Sequence, residues 1–296
     1  MLFSVNIDGG LTAFDPRVHR WRKFPSLSFL PYPGSFSLVE SGDGGLLCVR
    51  CPPSSFVVVC NPMTRTWKEL PMSNHKIWTN DDITQMIFNR GTNCYTIVAA
   101  HARSGMWTEV YESSSGTWSV KGEPPSSIVF TSRSTAVVQG VMYCAARDIT
   151  DAIKYPYQYA IVAFDLASGS WSPFLYLLPS EYQDPPHVVD CVGKLFVIAA
   201  RRSENAIDIL NLEPIPRRWI KVSAMPQSMY GEVDSITRSH CVANGNCICL
   251  TNVLLWQVVV YDVNDDSWKS LPQYPFNHDA LGTFTLSFEP RLSSPV

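Results

Sequence analysis

The sequence predicts an all-β fold, a six-bladed β-propeller forming a single domain over residues 1–296. Three observations predict it. One short phrase recurs: an apolar strand, a turn rich in Asp, Asn, Pro, Ser and Gly, then a tryptophan opening the next strand. Its clearest copy is Val259-Val260-Tyr261-Asp262-Val263-Asn264-Asp265-Asp266-Ser267-Trp268. The tryptophans of the copies, Trp21, Trp67, Trp118, Trp171, Trp219 and Trp268, follow one another at 46, 51, 53, 48 and 49 residues. A fixed period of about 50 residues marks stacked or radial repeats. The chain also starts in mid-unit and carries a leftover strand at 280–288, so the first blade is expected to close with that C-terminal strand.

Blade 1 is drawn from residues 1–24 plus 280–288, with strands Leu2–Val5, Leu11–Phe14 and Trp21–Phe24. Closure leaves no open sheet edge. Blade 2 spans 35–71, with strands Ser35–Glu40, Gly45–Arg50, Phe56–Asn61 and Trp67–Leu70 and a first turn over 41–44. Blade 3 spans 83–121, blade 4 134–174, blade 5 187–222 and blade 6 239–271. The second strands, Tyr95–Ala100, Val141–Ala146, Lys194–Ala200 and Asn246–Thr251, are near-continuous apolar runs, as expected of strands sandwiched between neighbours. The six repeat tryptophans are read as structural, each ring filling the gap between blades and burying about 150 to 250 Å².

Alternating strand direction sorts the connections onto two faces. Turns between strands one and two, and three and four, are short. Loops between strands two and three, and between blades, share the opposite face and are long: 72–82, 122–132, 147–158, 176–186 and 223–239. Long loops on a rigid scaffold are where binding residues concentrate. The candidates for partner contact there are His75, Trp78, Arg133, Arg147, Lys154, Tyr155, Tyr157, Tyr182, Arg201, Arg202, Tyr230 and Arg238. Tyr, Trp and Arg are the types enriched in interface hot spots.

With 46% hydrophobic residues the chain can bury a large core, and a net charge of −3 gives no reason to expect nucleic acid or an anionic membrane as partner. Its start lacks the basic and apolar regions of a signal peptide, no apolar run is long enough to span a membrane, and no Asn-X-Ser/Thr acceptor occurs. A reducing compartment, cytoplasmic and/or nuclear, is therefore expected, with the nine cysteines as thiols.

No catalytic motif is present: neither His-Glu-X-X-His, Gly-X-Ser-X-Gly, a P-loop nor a dinucleotide-binding glycine pattern occurs. Cys48-Val49-Arg50-Cys51 has the spacing of half a zinc site, but it has no second half and Cys48 falls within a strand. Cys247 and Cys249 stand at strand spacing and face the core together. The six histidines are scattered singly. The expectation is a non-enzymatic protein with no metal and no cofactor.

The stretch Val57-Val58-Val59-Cys60-Asn61-Pro62-Met63-Thr64-Arg65-Thr66-Trp67-Lys68-Glu69-Leu70-Pro71 resembles the kelch-type propeller domains of plant F-box proteins. Those proteins write an Asn-Pro-X-Thr-X-X-Trp-X-X-Leu-Pro phrase. Leu11 to Pro16 and Gly44 to Val49 look like further stretches of the same group. The resemblance implies a propeller that selects a protein substrate for an SCF-type ubiquitin ligase (Skp1, cullin and F-box), attached to the Skp1-type adaptor through an N-terminal F-box. The F-box itself is expected to be absent from this chain, which opens inside the first blade. The double glycine of kelch strand ends departs too, since Gly44-Gly45 precedes a strand. Two alternatives stay open: a kelch-type interaction scaffold unconnected to ubiquitin, and a galactose-oxidase-like copper enzyme, which would need His and Tyr ligands.

Overall fold

The computed structural model describes residues 2–5, 10–15, 18–24, 26–31, 38–51, 56–75, 82–103, 105–151, 153, 158–213, 218–233, 236, 239–252, 257–273, 284–287 and 289–296. Antiparallel sheets follow one another along the chain. The first contains β1 (Leu2–Val5), β2 (Leu11–Asp15) and β3 (Arg20–Phe24). The second contains β4 (Leu38–Asp43), β5 (Leu46–Cys51), β6 (Phe56–Asn61) and β7 (Thr66–Glu69), and the third β8 (Ile83–Asn89), β9 (Cys94–His101), β10 (Trp107–Glu112) and β11 (Thr117–Val120). In the fourth, β12 (Ile128–Val138), β13 (Val141–Asp148), β14 (Tyr159–Asp165) and β15 (Ser170–Trp171) pair in sequence, and β16 (Tyr176–Leu177) also pairs with β14. The fifth has β17 (His187–Cys191), β18 (Lys194–Arg201), β19 (Ala206–Glu213) and β20 (Arg218–Ala224). A short helix α1 (Tyr230–Val233) precedes the sixth, β21 (Ser239–Asn244), β22 (Cys247–Asn252), β23 (Gln257–Asp262) and β24 (Ser267–Ser270). Finally β25 (Phe284–Ser287) pairs with β1, Val5 opposite Phe284 and Leu2 opposite Ser287. The fold is an all-β propeller.

Each sheet's first strand neighbours that of the next: β4 meets β8, β8 meets β12, β12 meets β17, β17 meets β21, β21 meets β25 and β25 meets β4. The core is divided in the same way. One layer joins Leu11, Ala13 and Leu27 to Leu47, Val49 and Val58; the next joins Leu46, Cys48 and Val59 to Met86, Ile97 and Tyr111. Val98 and Ala100 pack with Cys144 and Phe164, Ala145 and Ile161 with Val197 and Ala199, and Ile198 and Ile209 with Leu250 and Tyr261. Phe14 packs with Cys249, Val258 and Val260, a layer between the sixth sheet and the first. Residues 46 and 48 of β5 face one neighbour and 47 and 49 the other, so the strand must be apolar on both faces. Cys247 packs against the same layer as Cys249. Cys48, Cys60, Cys94, Cys144, Cys191, Cys241, Cys247 and Cys249 are free thiols.

The repeated turn has a backbone explanation. Two places before the tryptophan, φ is positive at His19 (52°), Arg65 (58°), Gly116 (71°), Gly169 (65°) and Asp266 (44°). The acid or amide that opens the turn caps it: Asn61 Oδ1 accepts from Met63 N at 3.0 Å, Asp165 Oδ1 from Ser168 N at 2.7 Å and Asp262 Oδ1 from Asn264 N at 3.0 Å. The tryptophan then bonds to the preceding sheet. Trp118 Nε1 donates to the carbonyl of Pro71 at 2.8 Å, Trp171 to Thr108 Oγ1 at 2.8 Å, Trp219 to the carbonyl of Leu177 at 2.7 Å and Trp268 to Ser223 Oγ at 3.1 Å. Trp21 donates to the carbonyl of Pro272 at 2.9 Å. The Leu-Pro ending of the repeat thus has two jobs: Leu70 and Leu271 are buried, and the proline carbonyl receives the next tryptophan. Trp67 departs from the expectation of gap filling, with 42% of its surface exposed.

Strand limits differ from the sequence reading in several places. In sheet two, the strand expected to end at Glu40 runs to Asp43, and the turn falls at Gly44-Gly45, both at positive φ. An irregularity between Val39 and Ser41 accommodates the extra length. Residues 128–132, expected in a loop, belong to β12, where Ile128, Val129 and Phe130 pair with Asp148, Arg147 and Ala146 before a register shift ahead of Thr135. Blade 4 also gains β16 beyond residue 174, and β20 runs past residue 222 to Ala224. Of the expected closing strand 280–288, residues 284–287 are β25; 280–283 and 288 lie outside the described residues.

Candidate protein-binding face

Antiparallel pairing puts the loops after the second strands and between sheets at one end of every sheet, as the strand count requires. At this end, sheets three and five carry acids within apolar strands. Glu109 lies opposite Ala99, and Asp208 opposite Ala199; both acids are fully buried. The small alanines leave room for a polar side chain to turn toward the loop that precedes its own sheet.

Asp208 is saturated with donors. Its Oδ2 accepts from Arg201 Nε at 2.8 Å and from the Tyr182 hydroxyl at 3.0 Å, and its Oδ1 pairs with Lys221 Nζ at 2.8 Å. Burial alone would raise this carboxyl's pKa, but the hydrogen bonds from Arg201, Lys221 and Tyr182 outweigh it and hold it below the usual range. Burial, then the charge of Asp208, pushes the Tyr182 phenol well up, so it remains a donor. Beside these groups is a cavity of about 260 Å³, lined by Pro179, Glu181, Tyr182, Arg201, Asp208, Leu210, Trp219 and Lys221. The next residue along the chain from Arg201, Arg202, is exposed and paired with Asp184.

Glu109 plays the matching part in sheet three. Its Oε1 accepts from the backbone N–H of Asn74 at 3.1 Å and stands 3.3 Å from His75 Nδ1. Its Oε2 is buried without a hydrogen-bond partner among the described residues. His75 stacks on Trp107 (ring centroids 4.8 Å apart, planes 8° apart), and His101 lies beyond it at 6.2 Å with Nδ1 2.7 Å from Asp82 Oδ1. These contacts tie Asn74, His75 and Asp82 to sheet three. Among the described residues no cluster of three His, Cys, Asp or Glu is arranged to hold a metal ion.

The candidates from sequence divide accordingly. Tyr182 and Arg201 are brought together on Asp208; Tyr182 is only 3% exposed and its hydroxyl anchors its loop to sheet five. His75 is half-exposed and Arg202 open to solvent. Tyr230 opens α1 and packs partly buried against the layer between sheets five and six. Arg147 lies in β13, its Nε buried without a partner among the described residues. Arg133 falls in β12 at the register shift. Trp78, Lys154, Tyr155, Tyr157 and Arg238 lie outside the described residues. Sequence reasoning missed Glu109, Asp208 and Trp107. The available signal was an acid inside Trp107-Thr108-Glu109-Val110-Tyr111 and Ala206-Ile207-Asp208-Ile209-Leu210, where strand neighbours are apolar.

Comparison with known proteins agrees with the geometry. Residues 2–239 match the F-box associated beta propeller domain family. F-box only protein 6 of Arabidopsis thaliana is 24% identical over 289 residues, covering 90% of this chain and 56% of that protein. The chain thus spans about half the length of that relative. F-box only protein 13 of the same plant is 23% identical, covering 99% of this chain and 74% of its own length. Among solved structures, a chain of the nidogen/laminin complex aligns with a TM-score of 0.55 at 11% identity, covering 91% of this chain and 92% of the other. YCF48 bound to D1 peptide aligns at 0.50 and 10% identity, covering 90% and 77%. Likeness at such identities speaks to the fold alone. The match over residues 2–239 identifies the family: the chain belongs to the F-box associated beta-propeller domains.

Proposed function

We propose that this propeller is the substrate-recognition part of an SCF-type E3 ubiquitin ligase, a non-enzymatic kelch-type module that binds a protein through its long-loop face. The observation that carries the reading is the family match over residues 2–239. F-box names on relatives aligned over 90% and 99% of this chain support it. In this reading an F-box segment docks on a Skp1-type adaptor, and the propeller holds the protein to be modified. The loop-anchoring acids Glu109 and Asp208 give the binding face its rigidity, which lowers the ordering cost of association. His75, Arg202 and the cavity beside Trp219 and Lys221 are the contact positions we favour.

We further read the ring as six-bladed, with blade 1 completed by β25. The cyclic succession of first strands and the bond from Trp21 to Pro272 support that count. The protein acts without cofactor, in the cytoplasm and/or nucleus.

Native purification of the natural gene product with identification of its companions tests the function. A Skp1-type adaptor and a cullin are expected in stoichiometric amount. Recovery of partner proteins without either would replace the ligase reading with that of an interaction scaffold. Stoichiometric copper would favour an oxidase.

A further inference from the structure

We infer that residues 289–296 are a latch: a non-strand segment, bent at Leu292-Ser293, seated in a groove at the short-turn end of sheets two and three and tying β25 to those sheets. Asn61, fully buried, stands at its centre. Its Nδ2 donates to the carbonyls of Arg291 at 2.8 Å and Ser294 at 3.3 Å, while its Oδ1 caps the following turn. Both halves of one amide are therefore committed, and removing the segment would strand a buried donor. Ser294, itself 6% exposed, donates its hydroxyl to the carbonyl of Gly44. At Gly45 (φ +85°) a Cβ would lie 2.7 Å from Arg291 Cβ and 3.0 Å from Arg291 N. Gly45 thus admits the latch, whereas at Gly44 (φ +60°) a Cβ would collide with the Phe88 side chain, so the two glycines before the strand answer to different neighbours. Glu289 bridges Arg90 and Arg291 at 2.9 Å each, and Val296 packs on the layer between sheets two and three.

Pairing of β25 with β1 holds the segment's start in sheet one, and these contacts hold the rest on sheets two and three. The groove's ligand is a backbone presenting two carbonyls three residues apart, with a small hydroxyl side chain at the second. Nothing in this binding requires the segment to be continuous with β25, so the same peptide should bind in trans once the groove is vacated.

The test uses the full chain. Trypsin cleavage of the Arg291–Leu292 bond, followed by mass spectrometry under native conditions, is expected to run about tenfold or more slower than in a free peptide of residues 288–296, since docking must open first. A Ser294→Arg variant, too large for the site, should lose that protection and melt lower with an unchanged far-UV spectrum. Excess wild-type peptide should bind this variant saturably and raise its melting temperature, and a peptide carrying Ser294→Arg should do neither. Cleavage of the wild-type chain as fast as the free peptide overturns the latch, and so does a Ser294→Arg chain that stays protected. Should that variant fail to fold, the protection measured on the wild-type chain alone decides.

Discussion

The indole N–H of Trp21 donates to the carbonyl of Pro272 at 2.9 Å, across 251 residues of sequence. Trp118, Trp171, Trp219 and Trp268 donate likewise to a carbonyl or hydroxyl of the preceding sheet, so each of these tryptophans is a staple to the sheet before it. A Trp21→Phe substitution keeps an aromatic ring and removes the donor. We expect a loss of about 1 kcal/mol in urea unfolding, the net value of a hydrogen bond. Trp67→Phe should cost less, because Trp67 is 42% exposed. Equal losses at the two positions would contradict the staple.

The positive φ two places before each tryptophan can be tested at Gly116, where an added Cβ would meet nothing within 4 Å. Gly116→Ala should therefore cost about 1 kcal/mol through backbone conformation alone. Gly116→Asn should recover part of it, since Asn tolerates the left-handed region. A neutral alanine variant would show that the turn relaxes freely.

Asp208 holds Arg201, Lys221 and Tyr182 together, so Asp208→Ala leaves two cations facing each other. Because the Lys221 side chain is 47% exposed, we expect a loss of about 2 to 3 kcal/mol, below that of a fully buried pair. The carboxyl's folded-state pKa is lowered, so its stabilisation is complete above the unfolded value of about 3.9 and is lost as pH falls through the folded value. The variant's stability should accordingly fall less between pH 5 and pH 2 than the wild type's. Parallel curves would show that Asp208 carries no such linkage.

His187 titrates with the opposite kind of group but the same direction. Burial lowers its pKa, only partly offset by the bond from Nε2 to the carbonyl of Ile236 at 3.0 Å. The unfolded chain then takes up a proton near pH 6.5 before the folded one does, so stability falls as pH drops below that value. A His187→Gln variant should flatten the melting curve between about pH 7 and pH 5. A wild-type melting temperature constant over that window would refute the assignment.

The parts of this molecule legible in its sequence are those fixed by local chemistry. Turn residues and the tryptophan after them set the hairpin, and two-sided burial between neighbouring sheets makes strands such as Leu46–Cys51 and Lys194–Arg201 apolar throughout. What escaped depends on distant partners. Tyr182 looks like a surface contact until Asp208 is placed beneath it. Asn61 reads as a turn residue, which it is, but its other half reaches 230 residues along the chain to Arg291. The start of β12 at Ile128 escaped as well, because Ile128, Val129 and Phe130 are strand only through pairing with Asp148, Arg147 and Ala146.

The central claim is that the long-loop face receives the protein partner. The direct measurement is quantitative affinity capture with three baits: the wild-type chain, His75→Ala with Arg202→Glu on that face, and Arg90→Glu with Leu292→Ser on the opposite end. The account predicts that specific partners disappear with the first variant and remain with the second, capture being run below the melting temperature of each, since Arg202→Glu faces Asp184 and Arg90→Glu faces Glu289. Partners lost only with the second variant would put recognition on the short-turn face and contradict it.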